Sequence, residues 1–187
     1  NYVLAAFQFE SFVKSYPISQ KVEEAAFMGA FCYYKQSPRH SLAQDETRKA
    51  IEKLQNFINF YPNSEKLAEA NNLIQELNTK LEFKAFEIAK QYNTIRDYTS
   101  AIKVLNSFIA DYPGTPYRED ALYYLFDSSY KLAVNSIIAK RLERLNNAVK
   151  VYDELINDYP ETKFFELSKK KITDIEKEIA IFTADKS

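Results

Sequence analysis

The chain has 187 residues, with 25 Lys and Arg against 26 Asp and Glu and a net charge of −1. That length fits one domain of ordinary size, and the balance leaves no basic excess to draw the chain onto nucleic acid. It holds two glycines, one cysteine and one histidine, where average usage would supply about 13 glycines; this excludes Gly-rich phosphate loops, dinucleotide fingerprints and a Cys/His zinc site. Tyr and Phe occur 14 times each and Trp not at all, a composition that suits long helices packed through aromatic rings.

The elements follow from one repeat. Tyr-Pro occurs at Tyr16-Pro17, Tyr61-Pro62, Tyr112-Pro113 and Tyr159-Pro160, with Pro-to-Pro intervals of 45, 51 and 47 residues. Twelve residues before each Pro stands an alanine: Ala5, Ala50, Ala101 and Ala148. The positions 11, 8, 5, 4 and 1 before Pro are apolar or Tyr in every copy, as in Ile102, Leu105, Phe108, Ile109 and Tyr112. This is one stripe of an α-helix. Proline then ends the helix, because it donates no N–H and biases the preceding residue away from the α region. Two residues after each Pro comes a hydroxyl, at Ser19, Ser64, Thr115 and Thr162, predicted to be the N-cap of the next helix. Eight residues after Pro comes a small side chain, at Ala25, Ala70, Ala121 and Ser168, which lets a neighbouring helix approach.

In chain order, residues 1–16 are predicted to be a second helix without its first. Residues 18–62 form the first complete pair, with a loop over Ser37–Asp45. Residues 63–113 form the next, opened by an unusually long helix over 64–92, which contains no Pro or Gly. Residues 114–160 form a third pair lengthened over Ala133–Asn147. A final helix is predicted over 161–182, with Lys169–Lys171 on its solvent side. No stretch approaches 18 apolar residues, so no helical span is expected. The start at Asn1 reads as a fragment of a longer precursor. Cys32 reads as a buried structural thiol and His40 as loop surface; neither has partners for catalysis, and no cofactor or metal is expected.

Helix, tight turn, helix, stacked into one continuous core, resembles the tetratricopeptide repeat. The four alanines match that family's small second-helix position, and Gly29 matches its small first-helix position, where the other copies carry Ile74, Leu125 and Ile172. The repeats exceed the family's usual 34 residues. The resemblance implies an all-α, tetratricopeptide-like helical-hairpin solenoid of about four helix pairs, the first incomplete, in a single domain over 1–187.

A closer resemblance is to the BamD (ComL) family of the outer-membrane β-barrel assembly machinery. It is carried by Phe57-Ile-Asn-Phe-Tyr-Pro-Asn-Ser64, Phe108-Ile-Ala-Asp-Tyr-Pro-Gly-Thr115 and residues 148–160. Gln44, Thr47 and Ala50 match the family's Asp-Gln-x-x-Thr-x-x-Ala signature, with Ala43 in place of its Asp. The resemblance implies a non-enzymatic scaffold on the periplasmic face of the outer membrane, attached by an N-terminal lipid outside this sequence. Its implied partners are a BamA-like barrel subunit, other subunits of the machinery and unfolded outer-membrane protein precursors, with no nucleic acid. In such arrays the first helices line a groove. Aligned on Pro, the groove positions are Glu23, Tyr33, Tyr34, Asn71, Gln75, Asn78, Glu119, Phe126 and Tyr130; the amides suit an extended peptide backbone and the aromatics its side chains. Arg118, Arg141 and Arg144, in the C-terminal pairs, are expected to serve partner docking. The competing expectation is another periplasmic tetratricopeptide adaptor of cell-envelope or division assembly.

Overall fold

A computed structural model describes residues 1–184. Its elements are helices α1 (Tyr2–Ser15), α2 (Val22–Gln36), α3 (Asp45–Phe60), α4 (Leu67–Thr94), α5 (Tyr98–Asp111), α6 (Arg118–Val134), α7 (Ile138–Asp158) and α8 (Phe165–Ala184). The described residues contain no strand, and the all-α, tetratricopeptide-like reading holds. None of these helices is long and apolar enough to cross a membrane. Contacts divide the chain into two compact units, Asn1–Lys84 and the residues from Ala85 onward.

The Tyr-Pro turn has the same construction four times. Tyr16, Tyr61, Tyr112 and Tyr159 leave helical geometry with φ of −130°, −125°, −126° and −136°, as a residue before Pro must. Two residues beyond Pro, the N–H of Ser19, Ser64, Thr115 and Thr162 donates back to the tyrosine carbonyl at 3.0–3.1 Å. Each turn is thus a hydrogen-bonded β-turn with Pro at its favoured second position. The hydroxyl of the same residue accepts from the N–H two positions on, at 3.1–3.3 Å. Here the structure refines the expected cap. The regular helices begin three residues later, at Val22, Leu67, Arg118 and Phe165, after one tighter turn in which their N–H groups bond the hydroxyl residue's carbonyl.

In unit 1, α2, α3 and the first part of α4 share a core of Phe27, Ala30, Ala50, Leu54, Phe57, Ala70, Leu73 and Leu77. α1 packs on α2; a Cβ built at Gly29 would lie 3.4 Å from the Phe9 Cβ, so the glycine permits that close approach. The loop between α2 and α3 is held by one buried amide. Gln44 Nε2 donates to the carbonyls of Arg39 (2.9 Å) and Leu42 (2.8 Å), while its Oε1 accepts from the Thr47 hydroxyl (2.8 Å). Thr47 therefore accepts from Ser37 (2.6 Å), which in turn accepts from Lys80 Nζ (2.8 Å). Gln44 is also the N-cap residue of α3, and its side chain makes no capping bond to that helix's backbone.

In unit 2, Phe86 near the end of α4 packs on Phe108, Tyr117 and Tyr124. One buried cluster joins Phe126 and Ala133 of α6 to Leu145 and Ala148 of α7 and Ile172 and Ile175 of α8. Another joins Leu122 and Tyr123 to Leu155. The lengthening expected over 133–147 is a break at 135–137 followed by the long α7.

A second device links successive repeats within each unit. Six residues after Pro, Glu23 accepts from the Ser64 hydroxyl of the next turn (2.5 Å), and Glu119 accepts from the Thr162 hydroxyl (2.6 Å) and the Lys163 N–H (3.0 Å). One hydroxyl thus caps its own helix and ties down its predecessor.

Leu105 is fully buried and Lys103 exposed on the same helix. Leu105→Ala should cost about 2–5 kcal/mol through lost transfer energy and a residual cavity, and Lys103→Ala close to nothing, both read from urea denaturation. The Ser168 hydroxyl is buried without a hydrogen-bond partner, at the position where other repeats carry Ala. Ser168→Ala should therefore raise stability, by about 1 kcal/mol, in the same measurement.

Candidate functional site

In unit 1 the amides Asn71, Gln75 and Asn78 are all exposed. Their spacing puts them on one face of α4, and Asn71 Nδ2 donates to the Leu67 carbonyl at 2.9 Å. The two tyrosines do not join them as a pair. Neighbours on a helix point about 100° apart, and each goes its own way. Tyr33 lies under Lys49 (4.9 Å) and Lys53 (5.2 Å) of α3, beside the Glu10–Lys53 ion pair at 2.6 Å. Tyr34 faces α4 and donates to Glu76 at 2.6 Å. That bond, with burial, holds the Tyr34 phenol above its ordinary pKa. Tyr34 therefore meets α4 at Glu76, about 100° round the helix from Gln75 and off the face of the amide row.

Several expected site residues have internal work instead. Glu23 and Glu119 are the acceptors of the repeat-to-repeat bonds. Phe126 is fully buried, its ring 5.4 Å from Tyr152, and is core rather than groove lining. Tyr130 is half-buried against the same cluster. Arg118 pairs with Glu154 (3.1 Å) and Asp158 (3.0 Å). Arg141 donates to the carbonyls of Val134 and Ser136 and pairs with Glu178 at 3.0 Å; it closes the C-terminus of α6, where carbonyls lack helical partners. Arg144 donates to the Ser136 hydroxyl at 2.6 Å. The three arginines are therefore cross-braces within unit 2. His40 packs edge-on against Phe83 at 4.6 Å, and Cys32 is buried, which raises its thiol pKa.

The residue that sequence reasoning missed is Asp127, a buried carboxylate on α6. Its oxygens accept from Lys171 of α8 (2.5 Å), Lys131 (2.6 Å) and Asn93 of α4 (2.8 Å). Asn93 also donates to Ser128 (2.9 Å), and Lys171 to the Tyr123 hydroxyl (3.1 Å). Lys171 is therefore turned inward, a correction to its expected place on the solvent side. Burial works against the Asp127 charge, but the bonds from Lys131, Lys171 and Asn93 outweigh it and hold the carboxyl below its ordinary pKa. Burial likewise opposes the Lys171 charge, and Asp127 with Tyr123 keeps its pKa above the usual lysine value. The available signal was Asp127-Ser128-Ser129, a polar run inside an otherwise apolar and aromatic helix. Among the described residues no cluster of three His, Cys, Asp or Glu side chains could hold a metal ion.

Asp127→Ala should cost about 3–5 kcal/mol, because it leaves Lys171 uncompensated. The folded carboxyl pKa is depressed, so its contribution is complete above the ordinary aspartate range and is lost as the pH falls below it. Urea midpoints followed from neutral to acid pH should show a steeper loss for the parent chain than for Asp127→Ala.

The family described as YfiO, outer membrane lipoprotein, matches residues 1–145 and 94–183. A relative from Caulobacter vibrioides, the outer membrane protein assembly factor BamD, is 26% identical over 126 residues. That match covers 67% of this chain and 41% of the relative's length.

Proposed function

This chain belongs to the YfiO family of outer membrane lipoproteins, and from that membership we propose that it is a non-enzymatic scaffold in outer-membrane protein assembly. It works at the periplasmic face of the outer membrane, held there by a lipid outside this sequence. The family match along nearly the whole chain carries this reading, and the assembly-factor name of the Caulobacter relative supports it. The partners are a BamA-like barrel subunit, held by the C-terminal helices, and unfolded barrel precursors, received by unit 1.

The receiving surface is the row Asn71, Gln75 and Asn78, on the helix that Tyr34 reaches through Glu76. The amides are exposed and evenly spaced along α4, and an amide can both donate to and accept from an extended backbone. Barrel strands alternate apolar and polar side chains, so a strand held by its backbone along the amide row turns every second side chain toward the helix. For the C-terminal surface, the bonding of Arg118, Arg141 and Arg144 within the unit makes them supports of the docking face rather than free contacts.

Asn71→Ala with Gln75→Ala should weaken binding of an alternating barrel-strand peptide about tenfold, at about 0.5–1.5 kcal/mol per lost hydrogen bond. The complex with the barrel subunit should be unchanged. Fluorescence anisotropy with a labelled peptide and co-purification of the subunit read the two arms. Unchanged peptide affinity in the folded double variant would remove the amide row from the site.

A further inference from the structure

Unit 2 has two chemically different ends. α4 and α6 run side by side in the same direction, because Phe86 meets Tyr117 and Tyr124 while Asn93 meets Asp127 and Ser128. The turns that follow these helices, 95–97 and 135–137, therefore lie at one end of the unit. Tyr98 confirms the closeness, since Lys131 Nζ sits 5.7 Å from its ring. From Ser128, α6 runs on to Val134, which carries the second turn about 9 Å further out.

This end bears three exposed aliphatic side chains: Ile95 is 61% exposed, Ile137 68% and Ile138 75%. Beside them stand Arg96 and Lys140, both exposed and without an ion pair among the described residues. Arg96 has φ 66°, at a helix-closing position where its own N–H bonds the Asn93 carbonyl and the next N–H bonds the Tyr92 carbonyl. Glycine fits that backbone at least cost, so this site holds a cation in spite of local strain. Acids are present at this end too: Asp97 caps α5, Glu143 is exposed one turn along α7 from Lys140, and Glu178 is paired with Arg141. At the Tyr-Pro end the balance is reversed. Asp111, Asp158, Glu161 and Glu166 are exposed there, and the cations Arg118 and Lys163 are already paired.

We propose that the end of unit 2 formed by the 95–97 and 135–137 turns rests on an anionic phospholipid surface. Ile95, Ile137 and Ile138 enter the boundary between headgroups and acyl chains, and Arg96 and Lys140 meet the phosphates. Charge complementarity selects the occupant, because Arg96 and Lys140 stand exposed and without an ion pair beside the apolar tips, whereas Arg118 and Lys163 at the opposite end are paired and Asp111, Glu161 and Glu166 are exposed there. Shape selects it too. Ile95 on one turn and the Ile137-Ile138 pair on the other, at different heights, are too small an apolar area for the contiguous core of a protein interface, whereas a fluid surface closes around both. Shallow aliphatic insertion combined with cations at the phosphate level is the usual chemistry of interfacial binding.

The test is vesicle flotation with the full chain, using phosphatidylcholine alone and an equal mixture of phosphatidylcholine and phosphatidylglycerol. The parent chain should float with the mixed vesicles, stay behind with pure phosphatidylcholine, and detach as salt is raised. Ile95→Ser with Ile137→Ser and Ile138→Ser should lower binding about tenfold or more, and so should Arg96→Ser with Lys140→Ser. Lys150→Ser, exposed further along α7, should bind like the parent. Circular dichroism and urea midpoints confirm that each variant is folded. A parent chain that ignores anionic vesicles overturns the proposal, as do variants that bind like the parent or a Lys150→Ser loss equal to theirs. Loss of a protein complex with vesicle binding intact would reassign this end to a protein partner. None of these outcomes bears on peptide binding by unit 1, which is read in a separate assay.

Discussion

The fold depends on what a proline does to the residue before it and the hydroxyl after it. Tyr-Pro forces the chain out of the helix, and the hydroxyl residue then closes the turn and starts the next helix with three bonds from one side chain and its own backbone. Because the same hydroxyl reaches the glutamate of the preceding repeat in both units, the local turn and the stacking of repeats are one structure. The apolar stripe can then bury Ala50, Leu54 and Phe57, or Ala101, Leu105 and Phe108, at equivalent places.

Polar groups do as much of the internal fastening as apolar ones. Gln44 stands in for backbone partners that an irregular loop lacks, and Thr47 and Ser37 pass the chain of bonds on to Lys80. Asp127 gathers α4, α6 and α8 around one carboxylate. Such a cluster contributes little net energy over a well-packed apolar alternative, yet it tolerates only an arrangement that satisfies every member. It therefore fixes where α8 lies more sharply than the apolar contacts of Ile172 and Ile175 would alone.

The second helices, their C-terminal ends at Tyr-Pro and their buried core were legible in the sequence because proline and a helical stripe repeat at fixed offsets. Partnerships between repeats were not. Glu23 and Glu119 read as groove positions until the next turn is placed beside them, and a helix of 3.6 residues per turn separates Tyr33 from Tyr34 although the sequence sets them together. Arg141 read as free charge because nothing in a sequence shows that a helix will break at 135–137 and expose carbonyls for it to cover. Phe126 read as groove lining because alignment on Pro gives its distance along the helix but not which neighbours close over it.

The Tyr-Pro turn also decides where this chain can change length. From the alanine twelve residues before Pro to the small residue eight after it, all four copies agree without a gap. All variation in the repeat interval falls instead in the α2–α3 loop, in the length of α4 and in the stretch that leads into α7. Each Tyr-Pro turn is thus of fixed gauge: a single inserted residue would part the hydroxyl from the tyrosine carbonyl and from its own helix and, at Ser64 and Thr162, from the preceding glutamate as well. The connections that lead into the second helices are a free margin, open to loops and extensions, and differences in what such scaffolds touch can accumulate there without disturbing the turns.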